Sequence, residues 1–246
     1  ITGTAVASST VTLYKGGVSI GTTTADGAGA WSFDYTGTTL SDGSYTLTAT
    51  ATSAAGFTSV ASSDFALVVD TTVPSAPTFG IASDTGSSSS DSITSDTSLS
   101  FSGTVAAGMT VTIDPTGSAG DLSATVIGTA WSYNYAGTTL SEGTYTATVK
   151  VTDAAGNVTS TNFTYTVDTT APATPVVTGI SSDNGTSSTD GITADTTLHI
   201  IGTADAGSTV TVYKGGVSLG TTTADGTGAW DYDYTGTPLA VGSYAV

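Results

Sequence analysis

The chain has 246 residues, and only 9% of them are charged, against about a quarter in ordinary globular proteins. Asp and Glu number 20 and Lys and Arg 3, a formal net charge of −17; no basic patch can be assembled from Lys15, Lys150 and Lys214, which argues against nucleic acid and anionic membranes as partners. Cysteine is absent, which excludes disulfides and thiolate metal sites, and no apolar run approaches the ~18 residues of a membrane-spanning helix.

Taken from its start, the chain declares a repeat. Gly3-Thr4 returns as Gly103-Thr104 and Gly202-Thr203. Trp31, Trp131 and Trp230 keep the same interval, as do Tyr45, Tyr145 and Tyr244. The hairpin Tyr14-Lys15-Gly16-Gly17-Val18-Ser19 comes back almost unchanged at Tyr213–Ser218. Three units result: 1–69 without its opening segment, 70–167 complete, and 168–246 without its closing segment. Ile1 enters in the middle of a second strand and Val246 stops inside a sixth. Either the parent chain continues in both directions, or neighbouring molecules complete one another's missing strands.

Every predicted element is a strand. Thr10-Val11-Thr12-Leu13 and Thr209-Val210-Thr211-Val212 alternate polar and apolar residues with period two. Trp31, Phe33 and Tyr35 alternate with Ser32 and Asp34, and Trp131, Tyr133 and Tyr135 with Ser132 and Asn134. Tyr45–Thr50 and Tyr145–Val149 repeat the pattern, Gly-Gly and Asp-Gly pairs supply turns, and no 3.6-residue period appears. About seven short strands per hundred residues predict an all-β fold of tandem immunoglobulin-like β-sandwich domains forming an elongated rod.

The acidic residues collect at two kinds of place. Hinges of the form Asp-Thr-Thr-x-Pro stand at Asp70–Pro74 and Asp168–Pro172. Each leads into a loop with Asp-x6-Asp-x4-Asp spacing: Asp84, Asp91 and Asp96 in the second unit, Asp183, Asp190 and Asp195 in the third. Following the strands back and forth puts each loop at the far pole of its unit, so that Asp168 meets Asp84, Asp91 and Asp96, with Leu140-Ser141-Glu142-Gly143 beside it. Asp153 and Asn157, in a turn at the near pole, lie beside Asp70. Carboxylates and carbonyls so gathered suit a hard cation that takes 6–8 oxygens, and calcium is the predicted ion. The spacing is not that of an EF-hand. Asp26 and Asp225 read as turn formers, because the middle unit does without that Asp.

No catalytic constellation emerges. His199, the sole histidine, alternates with Leu198 and Ile200 and is expected to face solvent. The tryptophans fall at inward positions and read as core, and no glycine-rich loop opens a helix to cradle phosphate.

Together Asp168-Thr-Thr-Ala-Pro172, the Ser-Asp-x6-Asp-x-Ile-Thr-x-Asp loop, the Tyr213–Val217 hairpin, Ala224-Asp-Gly-x-Gly-x-Trp230 and Asp153-Ala-Ala-Gly-Asn157 resemble the tandem Ig-like repeats of giant secreted bacterial adhesins. The resemblance spans the whole chain. It implies a non-enzymatic, extracellular extender at the bacterial cell surface, exported by a dedicated secretion system and stiffened by calcium at the repeat junctions. Its partners would be neighbouring repeats of the same chain, with any host-cell receptor engaged through other parts of the parent. Two other readings stand beside it: a glycan- or host-protein-binding module using the rewritten hairpin around Pro115, and a non-catalytic Ig-like spacer of a secreted polysaccharide-active enzyme.

Overall fold

A computed structural model describes residues 1–245 of the protein. It is all-β, with no helix among the described residues. The chain divides into two compact units, Ile1–Thr169 and Thr170–Val246. The first holds two of the repeats and the second holds the third.

In the first repeat, β1 (Thr2–Thr4), β2 (Thr10–Lys15), β3 (Val18–Thr24), β4 (Ala30–Ser32), β5 (Gly43–Thr52) and β6 (Phe65–Val69) make a β1–β4 pair and a sheet ordered β3-β2-β5-β6. Val11, Leu13 and Ala25 are buried between them. Gly16 and Gly17 hold the β2–β3 turn at φ +55° and +80°, a left-handed conformation that explains the Gly-Gly pair.

The second repeat is a complete sandwich. Its strands are β7 (Thr78–Ile81), β8 (Ile93–Thr94), β9 (Ser100–Thr104), β10 (Thr110–Asp114), β11 (Leu122–Ser123), β12 (Thr125–Ile127), β13 (Ala130–Asn134), β14 (Gly143–Thr152) and β15 (Val158–Val167). One sheet is ordered β12-β13-β9-β7 and the other β11-β10-β14-β15-β8. The count exceeds the seven strands expected because two of them change sheets. The Asp-rich loop splits the opening strand into β7 and β8, and the segment after Asp121 gives β11 to one sheet and β12 to the other. Alternation does the rest: Phe101, Val111, Ile113, Trp131, Val149 and Tyr165 all turn inward to one core.

Trp131 is 2% exposed and lies under β7, whose Phe79 ring sits 6.2 Å away. Gly103 pairs with Phe79, and a Cβ there would strike the Thr78 carbonyl oxygen. This close approach leaves room only for glycine at position 103. At the start of β14 the Tyr145 hydroxyl donates 2.8 Å back to the Ser141 carbonyl; Tyr45 makes the same bond to Ser41 at 2.7 Å. Such tyrosine corners belong to Ig-like sandwiches.

The third repeat has β16 (Val176–Ile180), β17 (His199–Thr203), β18 (Thr209–Lys214), β19 (Val217–Thr223) and β20 (Ala229–Asp233), ordered β16-β17-β20 and β18-β19. Ile200, Val210, Val212, Ala224 and Trp230 form its core. A sixth strand is not formed among the described residues, although the Gly215 amide already donates 3.0 Å to the Ala245 carbonyl. Val246, which the sequence places in that strand, lies outside the described residues.

Candidate metal sites

The sequence reading's far-pole loop of the second repeat does fold against the hinge that follows it. β8 pairs in parallel with the end of β15, and the Asp168 amide donates 2.9 Å to the Thr94 carbonyl, between Asp91 and Asp96. Thr94 is the buried pivot. Its hydroxyl meets Thr85, and the Asp96 amide donates to it at 3.1 Å. Beside the same hinge the Thr169 hydroxyl donates 3.1 Å to the Glu142 carboxylate. Glu142 and Asp168 were both expected at this pole.

Inside the loop the three carboxylates behave differently. Asp91 accepts the Ile93 amide at 3.0 Å, and Asp96 accepts the Ser98 amide at 2.8 Å and its hydroxyl at 3.1 Å. These are Asx turns, in which a short acidic side chain closes its own backbone. Asp84 accepts the Ser92 amide through Oδ2 at 2.9 Å, while its Oδ1 is buried with no hydrogen-bond partner.

The third repeat builds the same loop again. Asp190 accepts the Ile192 amide at 3.0 Å, and Asp195 accepts the Thr197 amide and hydroxyl, both at 2.8 Å. Those bonds to Thr197 hold the Asp195 carboxyl below its usual range. Asp183 Oδ2 accepts the Gly191 amide at 2.9 Å, and Asp183 Oδ1 is again buried and unpartnered. A buried carboxylate oxygen without a donor is costly. Here it recurs at matched positions of two repeats.

At the near pole of the second repeat, Asp70, Asp153 and Asn157 come together through an amide. The Asn157 side chain donates to the Asp70 backbone carbonyl at 3.0 Å and to Asp153 Oδ2 at 2.9 Å. Asp153 Oδ1 closes the turn by accepting the Ala155 and Asn157 amides at 2.9 Å. These bonds, Asn157's first, keep the Asp153 carboxyl below its ordinary value. The Asp70 carboxylate accepts the Thr72 amide at 3.0 Å and so turns into its own hinge.

Asp42 is one residue that the sequence did not reveal. Its Oδ1 accepts the Thr71 amide at 3.0 Å and hydroxyl at 2.7 Å, and its Oδ2 accepts the Thr72 hydroxyl at 2.7 Å. The signal was present: Ser41-Asp42-Gly43 stands four residues before Thr46 as Ser141-Glu142-Gly143 stands before Thr146. Asp205 was missed as well, and it accepts the Ala173 amide at 2.8 Å just after the second hinge. No three Asp, Glu or His side chains converge as a ready metal cage among the described residues. A cation in these loops would therefore draw much of its shell from backbone carbonyls, hydroxyls and water, as calcium does.

Several other polar groups are engaged locally. Asp26 accepts the Ala28 and Ala30 amides, and Asp225 those of Thr227 and Ala229. Both are turn formers. His199 is half-exposed on β17 and is not simply facing solvent: its Nδ1 lies 2.7 Å from Asp231 Oδ1 and its Nε2 3.9 Å from Asp233. Lys150 pairs with Asp121 at 2.6 Å, while Lys15 and Lys214 each lie over two tyrosine rings.

The profile of the bacterial Ig-like domain matches residues 1–71, 72–169 and 170–246. The chain belongs to the bacterial Ig-like domain family. Its three Ig-like copies follow one another without a gap, each boundary falling just past a hinge aspartate. No curated protein matches the chain. Among solved structures it is similar to a Ca2+-stabilized adhesin that helps an Antarctic bacterium reach out and bind ice, at 29% identity over 99% of this chain and 65% of that one, with a TM-score of 0.40. It is also similar to a 1.5-MDa bacterial ice-binding adhesin, at 26% identity over 99% of this chain and 86% of the other (TM-score 0.39). A tetra-tandem repeat in the extending region of a large adhesion protein shares 23% identity over 98% and 61% (TM-score 0.32). Membership of the family rests on the three consecutive matches to its profile.

Proposed function

We propose that this Ig-like array is an extender of a secreted bacterial surface adhesin and that calcium at the poles of its repeats stiffens it. The observation that carries the calcium reading is the pair of buried, donorless oxygens, Asp84 Oδ1 and Asp183 Oδ1, in two loops of the same construction. Asp91 and Asp96, and in the third repeat Asp190 and Asp195, each leave one carboxylate oxygen outside their turn bonds to complete such a shell. Asp168 joins the first loop through its backbone. Asp70, Asp153 and Asn157 would form a second, weaker position, because the Asn157 amide already neutralises part of what an ion would find there.

A bound divalent cation supplies a cross-link among groups that otherwise repel one another. The chain's own residues supply the rest. The Asx turns fix the loop, the Thr94 plug seats it on β15, and the hinge is tied at both ends. In an array whose repeats contact only their neighbours, stiffness is set by such junctions.

Nothing in the geometry favours a binding module built on the rewritten hairpin. Pro115 is fully buried, its carbonyl accepts the Tyr165 hydroxyl at 3.0 Å, and Asp114 caps the loop from within. The test is calcium stoichiometry of chelator-stripped protein by isothermal titration, repeated with Asp84→Asn and Asp183→Asn. Each substitution is expected to remove one high-affinity ion and its share of the calcium-induced rise in Tm. Unchanged stoichiometry in the double variant would remove these loops as calcium sites, and a Tm indifferent to chelator would end the stiffening role.

A further inference from the structure

We propose that Asn184, in the acidic loop of the third repeat, is a site of spontaneous modification that turns it into aspartate or isoaspartate and adds a carboxylate to that loop. The chain has four asparagines, and only Asn184 is followed by glycine. Tyr135, Val158 and Phe163 follow the other three. Their side chains crowd the path by which a backbone amide reaches the preceding asparagine's Cγ, and glycine has none to obstruct it. The other three are also held in place. Asn134 Oδ1 accepts the Ala136 amide at 2.8 Å, and the Tyr135 amide is given to the Leu99 carbonyl at 2.9 Å. Asn157 Nδ2 is spent on Asp70 and Asp153, and Asn162, within β15, accepts the Thr148 hydroxyl at 3.0 Å.

At Asn184 the reacting atoms are available. The Gly185 amide is the nucleophile and Asn184 Nδ2 the leaving group; neither donates to any group among the described residues, and both residues are exposed to water. Only Oδ1 is held. The Ala194 amide donates to it at 2.9 Å, and the Thr193 hydroxyl, shared with the Ser182 carbonyl, stands 2.9 Å away. Donors so placed polarise the side-chain carbonyl and stabilise the negative charge its oxygen gains on attack. This openness belongs to the loop itself. In the second repeat, whose sandwich is complete, Thr85 and Gly86 hold the same places, are exposed too, and the Gly86 amide likewise donates to no described group. A Cβ on Gly185 would strike the Ile192 carbonyl oxygen, so the loop keeps glycine there whatever residue precedes it.

The step balances with water alone. The Gly185 amide loses its proton to hydroxide, and its nitrogen bonds to Asn184 Cγ. The Cγ–Nδ2 bond then breaks, and ammonia leaves with a proton returned from water. Water opens the resulting cyclic imide at either carbonyl. One opening leaves aspartate; the other leaves isoaspartate, in which the main chain runs through the former side chain. Either product puts a new negative charge beside Asp183, whose Oδ1 is already buried without a donor. The inference stands apart from the calcium reading, because the reaction needs no ion.

The test ages the whole folded chain in mildly alkaline buffer at body temperature and follows it by peptide mass spectrometry. The peptide holding Asn184 is expected to gain the mass that exchanging an amide NH2 for OH adds, with ammonia released in step. It should divide into two products, one of them a substrate for isoaspartyl methyltransferase, while Asn134, Asn157 and Asn162 stay intact. Asn184→Thr, which copies Thr85 of the second repeat, is expected to fold alike and to abolish the gain of negative charge seen on native isoelectric focusing. The proposal is overturned if Asn184 of the folded chain stays intact over an interval in which the urea-unfolded chain converts it fully. It is also overturned if the other asparagines convert as fast, or if the Asn184→Thr chain gains charge at the parent's rate.

Discussion

At the scale of single residues, this chain uses aspartate mainly to tie backbone. Asp42 and Asp153 illustrate it at the first hinge. The hydroxyls of Thr72 and Thr71 hold the Asp42 carboxyl below the ordinary 3.8, and the Asn157 amide does the same for Asp153. A carboxyl whose folded value is depressed adds stability that is fully present above the unfolded value and fades as pH falls through the folded one. Carbon-detected NMR titration is expected to place both midpoints under 3.8, with the Thr71 and Thr72 amides shifting in step with Asp42. Thr71→Val with Thr72→Val should raise Asp42 towards its ordinary value, the Thr71 amide still holding part of the depression.

His199 follows the opposite sign. The Asp231 carboxylate raises it above 6.5, the coulombic pull of Asp231 and Asp233 adding to the hydrogen bond. Its contribution is therefore complete below the ordinary histidine value and is lost as pH rises through the raised one. It is the only histidine, so its proton NMR titration is unambiguous. The midpoint is expected above 6.5, and Asp231→Asn should lower it. The sequence put His199 on the right strand but could not show this pairing, because Asp231 lies on the neighbouring strand and is diagonal to His199 in register.

At the scale of elements, the strands were legible because the period-two alternation is strict and the glycines and aromatics recur. Trp131, Phe101 and Tyr165 are core for the reason the pattern suggested: each falls on an inward position of a strand that pairs on both sides. The division of the opening strand into β7 and β8 was not legible, since nothing local in Ser83–Ser92 says that the chain will cross from one sheet to the other. Trp131→Ala is expected to cost about 3–5 kcal/mol in urea unfolding of the first unit. Gly103→Ala is expected to detach β7, since its Cβ collides with backbone that cannot step aside. Hydrogen exchange would then accelerate at Thr78–Ile81 while β13 stays protected.

At the scale of the whole molecule, the same acidic loop appears in both the second and the third of the three repeats, and this made the candidate sites legible. Following the strands placed Asp84, Asp91, Asp96 and Asp168 at one pole, and the Asp168 amide does bond the Thr94 carbonyl of that loop. Which oxygens stay free was beyond the sequence. Asx turns consume one oxygen of Asp91 and of Asp96, whereas Asp84 is left with a buried one, and that difference depends on where the loop's amides point. Asp42 was overlooked because its role is set by a hinge about thirty residues away in the chain.

The short β8 strand has a consequence for mechanical load. It runs parallel to the last residues of β15, with Ile93 beside Thr166 and Thr94 beside Val167. Tension applied through the two hinges pulls these parallel strands in opposite directions along their own axes. Their backbone bonds, with the Thr94 plug beneath them, must then slide together and cannot peel apart one at a time. The second repeat, which holds this parallel pair, should therefore yield in a single abrupt step. In single-molecule pulling, Thr94→Val is expected to lower the yield force of the second repeat, whereas a change in the β10–β11 loop such as Thr116→Ala is expected to leave it in place.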